Sequence, residues 1–342
     1  MNQFRRIRKM ICISGVSCLV ALSAAGCSKN NTNSESQAKA EDDKSTGSVS
    51  FDDQMMKVGD KSVSYREVMI YMLQLKNNYE SGIGSEIWNF QVDKNNTFSD
   101  VAKDEIVSQI TELKVIAQQA EKLNIKLNKD EIDEINGNVV NYLKNVTKED
   151  QKKYGITEDV VYQVLSDNYL AEKVFSISTN EVDTNISDDE AKQVKLQQLY
   201  VITNGQDKNG TTISMNEKDK KAALKRAKDL LKKAKKTDDF LSFAKSNSDI
   251  AEIELELGKG DNKEIESQAF ALKKGKLSDV IETSQGYVIL YCVNPFDEDA
   301  TASKKEEIIA SRQNEVFRAK YKNWSKEYKV DVNSVKWNKI QF

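Results

Sequence analysis

The chain of 342 residues contains no histidine. This absence excludes serine hydrolases that use a Ser-His-Asp triad, cysteine hydrolases that use a Cys-His pair, and general acid–base catalysis by an imidazole. It also removes a common nitrogen ligand of protein-bound zinc. Neither a Walker A phosphate loop nor a GxGxxG dinucleotide motif occurs in the sequence. We therefore expect the protein to work without a metal ion and without a cofactor.

Cysteine is scarce, with residues only at positions 12, 18, 27 and 292. Cys12 and Cys18 belong to the N-terminal leader described below and Cys27 is its predicted lipidation site, so Cys292 alone remains, in the apolar run 287–293. A lone cysteine cannot form an intramolecular disulfide, and in such a run we predict a buried, unreactive thiol. The stability of the folded chain must then come from packing.

The N terminus joins a basic start to a charge-free run that ends in a cysteine. The basic residues are Arg5, Arg6, Arg8 and Lys9, residues 10–25 are apolar or small, and Cys27 follows the small residues 22–26. This order is typical of a lipoprotein signal, in which Cys27 is acylated and residues 1–26 are removed. An uncleaved anchor and an ordinary secretory signal are the alternatives, although a spanning helix needs about 20 apolar residues. We expect lipid on Cys27 to hold the chain on the extracytoplasmic face of the cell membrane.

Residues 27–53 follow as a segment of polar and charged residues with almost nothing apolar. Such a segment cannot bury enough surface to offset its ordering entropy, so we predict a disordered tether. Removing residues 1–26 takes away four positive charges and changes the net charge from −3 to −7. An acidic chain of mixed charge argues against nucleic acid as a partner. The roughly 290 residues after the tether suit two domains.

Residues 54–190 are predicted to form a largely helical domain. Two short strands around Gly59 precede a helix at 65–79, which a capping box of Ser64 and Glu67 opens. Residues 80–100 are predicted as a loop or broken segment. Further helices are expected at 99–123, at 129–144 behind a cap of Asn128 and Glu131, after Thr147, and at 157–174.

Residues 191–298 read as an α+β domain with an antiparallel sheet. The predicted strands are 195–202, 253–257 and a hairpin of 277–283 with 287–293, and the predicted helices are 218–236, 240–246 and 264–271. Residues 299–342 contain a final helix at 302–328 with a long apolar stripe. We expect this helix and its tail to pack on the helical domain.

Several motifs in residues 194–296 resemble a parvulin-type peptidyl-prolyl isomerase domain. They are Gln198-Leu199-Tyr200-Val201, Asn247-Ser248-Asp249, Glu256-Leu257-Gly258, the run 269–275, and Gln285-Gly286-Tyr287-Val288-Ile289. The runs 58–64 and 106–135 are similar to the N-terminal chaperone region of PrsA- and SurA-like foldases. Together with the signal, tether and closing helix, the chain resembles extracytoplasmic foldase lipoproteins of the PrsA type.

The resemblance implies an isomerase site whose polar residues are replaced here. The family carries two facing histidines, and their positions are occupied by Gln198 and Val288. A cysteine or aspartate of the family corresponds to Ile250, and its aspartate before Leu-Gly corresponds to Glu256. The loop after Gly258 is shorter than the family's. As apolar candidates for substrate binding, the likeness points to Tyr200, Leu257, Ile265, Phe270 and Ile289.

Three functional hypotheses remain open. The first is a membrane-anchored chaperone or foldase that binds unfolded, newly exported polypeptides, with an impaired parvulin domain. The second is an active peptidyl-prolyl cis-trans isomerase. The third is a solute-binding lipoprotein of a transporter, although such proteins alternate strands and helices through two α/β lobes, whereas this chain begins with a long helical run. Whether two copies form a homodimer also stays open.

Overall fold

The structure is a computed structural model that describes residues 49–206 and 212–342. Its contacts divide the chain into two compact units, one of residues up to 181 together with 314–342, and one of residues 182–313. We call them the helical unit and the sheet unit. Within the described ranges, no helix is long and apolar enough to cross a membrane. The predicted signal, the predicted lipidation site Cys27 and the predicted tether up to residue 48 lie outside the described residues.

The described residues form nine strands and eleven α-helices in addition to two short 3-10 helices. The strands are β1 Gln54–Val58, β2 Lys61–Ser64, β3 Gln193–Ile202, β4 Asn204–Gln206, β5 Thr212–Ser214, β6 Glu254–Gly258, β7 Ile281–Thr283, β8 Gly286–Asn294 and β9 Val330–Val332. The helices are α1 Tyr65–Ile83, α2 Phe98–Lys122, α3 Lys129–Asn145, α4 Lys148–Tyr154, α5 Glu158–Ser178, α6 Asp188–Ala191, α7 Glu217–Ala234, α8 Phe240–Asn247, α9 Glu266–Ala271, α10 Glu298–Trp324 and α11 Ser334–Trp337. The 3-10 helices are Ser85–Asn89 and Ser325–Glu327. A mostly helical chain with antiparallel sheets confirms the predicted α+β class.

The helical unit opens with the hairpin of β1 and β2, and β9 adds to the other edge of β1. The hairpin turn needs glycine at position 59, where φ is +56°. A side chain there would also collide with the Gln118 amide and the Tyr328 ring, both 2.6 Å from the Cβ position. Gly59 therefore permits both the left-handed turn and the close approach of α2.

Residues 49–53, which the sequence predicts as the end of the tether, include two carboxylates that contact the helical unit. Arg66 Nη2 lies 2.7 Å from Asp52 Oδ1, and Lys336 Nζ lies 2.7 Å from Asp53 Oδ1. The carboxylates of this polar stretch thus pair with cations that are distant in sequence. Composition alone does not reveal such partners.

The first helix begins at the predicted residue with only half of the predicted capping box. Ser64 Oγ accepts a hydrogen bond of 3.4 Å from the Glu67 N–H. The Glu67 carboxylate instead lies 2.6 Å from Lys114 Nζ in the interior. By contrast, Asn128 and Glu131 form the full reciprocal box at α3, as predicted.

The C-terminal part of α10 and the tail complete the core of the helical unit. Phe317 is 1% exposed, and its ring packs 5.1 Å from Phe175 and 5.8 Å from Trp324. Trp88 stacks on the last residue, Phe342, with ring centroids 4.0 Å apart. The helix ends at Trp324 and not near residue 328, because a 3-10 turn leads into β9, a strand that the sequence did not reveal.

The sheet unit is built on a four-stranded antiparallel sheet in the order β6-β3-β8-β7. Alternating side chains of β3 and β8 separate two cores. Leu199, Val201 and Ile289 face α7 and α8, while Leu196, Val288 and Leu290 face α9 and the segment before it. Cys292 is fully buried in the second core, as predicted, and burial raises the pKa of its thiol.

Candidate functional site

The two positions that correspond to the family's histidines lie on one face of the sheet. Gln198 is opposite Leu290, and Tyr200 is opposite Val288, in the pairing of β3 with β8. Gln198 is 8% exposed, and its Nε2 donates a 3.0 Å hydrogen bond to the Glu252 carbonyl. Val288 is fully buried. This face therefore holds one amide already bonded to backbone and one side chain without a polar atom.

Of the other two positions that correspond to the family's site, Glu256 does not join this pair. Glu256 is exposed and pairs across the strands with Lys195. Its neighbour Leu257 faces the second core, so the Glu256 carboxylate points to the opposite side of the sheet. Ile250 is half-buried in the connection between α8 and β6. Gln198 and Val288 are thus brought to one face, and Glu256 is not.

The five apolar candidates for substrate binding lie in different environments. Leu257, Ile265 and Ile289 are at most 2% exposed, so they fill the interior in this conformation. Ile289 moreover lies in the first core, on the reverse of the sheet from Val288. Tyr200 and Phe270 remain partly exposed at the edge of the second core. Ile289 is buried because strand alternation turns it towards the first core. Ile265 is buried because the segment after β6 folds over the second core.

Hydrogen bonds near the C-terminal end of that segment, residues 259–265, hold it over the sheet face. The Glu264 carboxylate accepts hydrogen bonds from the Ser284 N–H at 2.9 Å and from Ser284 Oγ at 3.2 Å. On the same face, the Tyr200 hydroxyl lies 2.6 Å from Thr283 Oγ1. The β7–β8 turn therefore anchors both the covering segment and the nearest aromatic ring.

A wider surface cleft of about 500 Å³ flanks Phe270. It is lined by Lys192, Lys259 and Lys263, with Asp189 and Glu266 among the other residues. Lys192 Nζ sits 5.3 Å from the centre of the Phe270 ring, within the range of a cation–π contact. The cleft thus offers one aromatic face surrounded by charges of both signs.

The charged residues just after the end of α8 have a structural role. Burial alone would raise the pKa of Asp249, but hydrogen bonds from Arg226 and from the Ile202 N–H outweigh burial and hold this pKa below its usual value. The Arg226 Nη1 atom lies 2.8 Å from Asp249 Oδ2. In the parts of the chain that the structure covers, no group of three acidic, cysteine or histidine side chains is placed to hold a metal ion.

Comparison with known families identifies the sheet unit. The family model of the PPIC-type peptidyl-prolyl isomerase domain, Rotamase, matches residues 207–294. This stretch is a PPIC-type parvulin domain. The matched residues of the parvulin domain include Ile250, Glu256 and Val288, whereas Gln198 lies before them on β3.

The chain is also similar to curated proteins along most of its length. It is 25% identical over 290 residues to a protein named Foldase protein PrsA from Caldanaerobacter subterraneus, covering 80% of this chain and 85% of that protein. It is 25% identical over 256 residues to a protein of the same name from Clostridium botulinum strain Loch Maree, covering 67% of this chain and 73% of that protein.

Two solved structures give weaker likenesses. The Bacillus cereus structure described as peptidylprolyl isomerase (PrsA) is 18% identical with a TM-score of 0.35, covering 71% of this chain and 91% of that one. A structure described with the Campylobacter jejuni proteins PEB4 and Cj1289 as SurA-like chaperones is 12% identical with a TM-score of 0.31, covering 82% and 98% of the two chains.

Proposed function

We propose that this protein is a lipid-anchored, extracytoplasmic chaperone that assists the folding of exported polypeptides, with a parvulin domain impaired as an isomerase. The observation that carries the proposal is the similarity to proteins named Foldase protein PrsA, which spans both units and 80% of the chain. Holding an unfolded polypeptide requires surface and not proton transfer. It is therefore compatible with a sequence that has no histidine.

The impairment follows from what prolyl isomerisation demands. Rotation of an X–Pro amide passes through a twisted state that is about 18–20 kcal/mol above the planar one in a typical peptide bond. An enzyme must bind the twisted amide more tightly than the planar one, with a shaped pocket and placed polar groups. Here the Gln198 amide is bonded to Glu252, Val288 is apolar, and Ile265 packs into the same core as Val288. These contacts favour a domain kept as a scaffold.

The anchoring part of the proposal rests on Cys27 and the charge-free run before it. Replacement of Cys27 by serine leaves no thiol to acylate at this position. The protein should then leave the membrane fraction, while the unchanged chain should stay there and extract only with detergent. Equal membrane retention of C27S would contradict lipid anchoring and favour an uncleaved helix.

The chaperone activity is tested by the aggregation of a chemically reduced model protein, followed by light scattering. The chain from Ser28 to Phe342 keeps every described residue and should suppress scattering as its molar ratio rises. Serum albumin at equal mass is the control for nonspecific crowding. Unchanged scattering at several-fold molar excess would contradict the proposal. Sedimentation of the same preparation decides whether the chain is a monomer or a homodimer.

An active isomerase is the second candidate, and the PPIC-type match favours it. The cis-to-trans conversion of proline tetrapeptides separates the two candidates. The impaired domain that we propose should give rates equal to the uncatalysed blank for peptides with different residues before proline. A rate that increases in proportion to the protein concentration would establish the isomerase instead.

A further inference from the structure

A second cavity, in the helical unit, has a polar lining to which the proposed function assigns no role. It has a volume of about 330 Å³ and lies between α1, α3 and α5. Tyr142 contributes a phenol to its lining, and the other polar lining residues are carboxamides, Gln74, Asn77, Asn78, Asn138, Asn141 and Asn145. We call this cavity the amide cleft. Its floor is apolar, with Leu73, Val146 and Leu165.

The lining is unusual for this chain because it is uncharged. Charged residues make up 31% of the sequence, yet none of the ten residues that line the cleft is charged, among the residues that the structure describes. A cleft of this kind has no charged side chain that would favour an ion over a neutral ligand. It suits a ligand that is polar, neutral and rich in hydrogen-bond donors and acceptors.

The amides on α3 form a stripe. Asn138, Asn141 and Asn145 follow the spacing i, i+3, i+7, which places side chains on one side of a helix. The stripe covers about 10 Å of helix axis at about 1.5 Å per residue. An extended polypeptide advances about 3.3 Å per residue, so the stripe matches about three residues of such a segment.

Four of these asparagines make no structural contribution that would explain them. The Asn138 side chain donates to the Tyr169 hydroxyl at 2.9 Å. Across residues 49–206 and 212–342, the side-chain amides of Asn77, Asn78, Asn141 and Asn145 make no hydrogen bond with another residue, and all four side chains are exposed. Asparagine is a poor helix former, so each weakens its helix. Residues that weaken their own helix and make no stabilising contact in exchange are typical of functional sites.

We propose that the amide cleft binds an extended segment of an unfolded polypeptide through the backbone amides of that segment, an inference that rests on the chaperone function proposed above. An asparagine side chain carries one carbonyl acceptor and an NH₂ donor, the same groups that a peptide backbone needs as partners. The apolar floor accepts one side chain of the segment. Binding through the backbone explains how one site serves polypeptides of unrelated sequence.

The test measures binding of a fluorescein-labelled, uncharged decapeptide of alanine, serine, threonine and valine by fluorescence anisotropy. The binding protein is the chain from Ser28 to Phe342. The variant Asn141→Ala/Asn145→Ala should bind the peptide roughly tenfold more weakly, because two hydrogen bonds are lost. Alanine is the better helix former, so the variant should keep its fold.

The matched control is Asn136→Ala/Asn323→Ala, which removes two exposed helical asparagines outside the cleft, on α3 and α10. It should bind like the unchanged chain. A second peptide with the same side chains and alternate N-methylated backbone amides should bind at least several-fold more weakly. That loss is specific to recognition of the backbone.

Equal peptide binding by the cleft variant and the unchanged chain would overturn the inference, as would undiminished binding of the N-methylated peptide. The same preparations are assayed for suppression of aggregation. If the unchanged chain suppresses aggregation but the cleft variant still binds the peptide normally, only the assignment of peptide binding to the cleft is wrong. If the unchanged chain does not suppress aggregation, the chaperone function itself is contradicted. A neutral oligomer of N-acetylglucosamine that binds only the intact cleft, where the peptide does not, would instead identify a saccharide site.

Discussion

The Nζ atom of Lys114 lies 2.6 Å from the Oδ2 atom of Asp167, and both side chains are at most 5% exposed. A second carboxylate, that of Glu67, lies 2.6 Å from the same Nζ. Gln163 Nε2 donates a 2.9 Å hydrogen bond to the other oxygen of Asp167. One lysine thus joins α1, α2 and α5 in the interior of the helical unit. Burial raises the pKa of Glu67, against the opposing effect of Lys114.

Replacement of Lys114 by methionine should destabilise the helical unit by about 3–5 kcal/mol, because two carboxylates would stay buried without a cation. All three tryptophans, at positions 88, 324 and 337, lie in the helical unit. Urea unfolding followed by tryptophan fluorescence therefore reports on this unit. The control Lys61→Met removes an exposed ion pair of the same 2.6 Å length and should change little. Equal stability of K114M and K61M would show that the buried contact is dispensable.

Glu112 should make the stability of the helical unit depend on pH. Burial raises its pKa from 4.5 to about 7, only partly opposed by Arg318, while burial together with the neighbouring Glu112 raises the pKa of Tyr321 to about 12. Between these two values for Glu112 the folded state binds more protons than the unfolded state, so stability falls as pH rises. The helical unit therefore keeps this stability below about pH 4.5 and loses it progressively as the pH rises to about 7.

The variant Glu112→Gln should remove this loss and gain up to about 3 kcal/mol at pH 8 relative to the unchanged chain, with little difference at pH 4.5. Urea unfolding at the two pH values measures it. Glu105→Gln, an exposed change on the same helix, serves as the control. A gain that is the same at both pH values would mean that titration of Glu112 is not its cause.

Phe317 should be essential for the packing of α10 into the helical unit. Its replacement by alanine should cost about 3–5 kcal/mol, since a ring between Phe175 and Trp324 would be lost. Phe90 is 61% exposed, and Phe90→Ala provides a matched truncation at the surface. Unfolding midpoints in urea compare the two. A cost for F317A no larger than for F90A would contradict the assignment of this part of α10 to the core.

Gly137 offers a change in the opposite direction. It lies inside α3 and does not line the amide cleft, and apart from its chain neighbours and the adjacent backbone of α3 no atom lies within 4 Å of an added Cβ. Alanine at this position should stabilise the helical unit by about 0.5–1 kcal/mol, because it reduces the backbone entropy of the unfolded chain. A lower urea midpoint for G137A would reveal a conformational need for glycine that the geometry does not explain.

Local signals in the sequence were sufficient wherever the structure is locally determined. The full capping box of Asn128 and Glu131 opens α3, and the alternating pattern near residue 195 becomes β3. The chain after residue 79 was harder. Residues 80–100 were predicted as a loop or broken segment, and in the structure α1 continues to Ile83 and a short 3-10 helix follows. The two glycines of Gly82-Ile83-Gly84 argue against a helix. In the structure α1 nevertheless runs through Gly82 and ends before Gly84, which has a positive φ.

Features that depend on distant partners could not be read from the sequence. The strand β9 has only three residues, all exposed, and exists because β1 offers an edge. In the sequence, Lys114 does not differ from other lysines of an amphipathic helix. Only the packing of the helices brings Glu67 and Asp167 next to it. The amide cleft did leave a signal, the i, i+3, i+7 spacing of Asn138, Asn141 and Asn145. Its partner residues on α1 could not be inferred without the helix packing.

The most direct test of the account uses a model protein whose refolding is limited by one cis-to-trans proline isomerisation and competes with aggregation. Its refolding is followed in the presence of the chain from Ser28 to Phe342. The account predicts that the yield of native protein rises with the amount of chain, while the slow rate constant stays at the uncatalysed value. An accelerated slow phase would contradict the impaired parvulin domain, and an unchanged yield would contradict the chaperone itself.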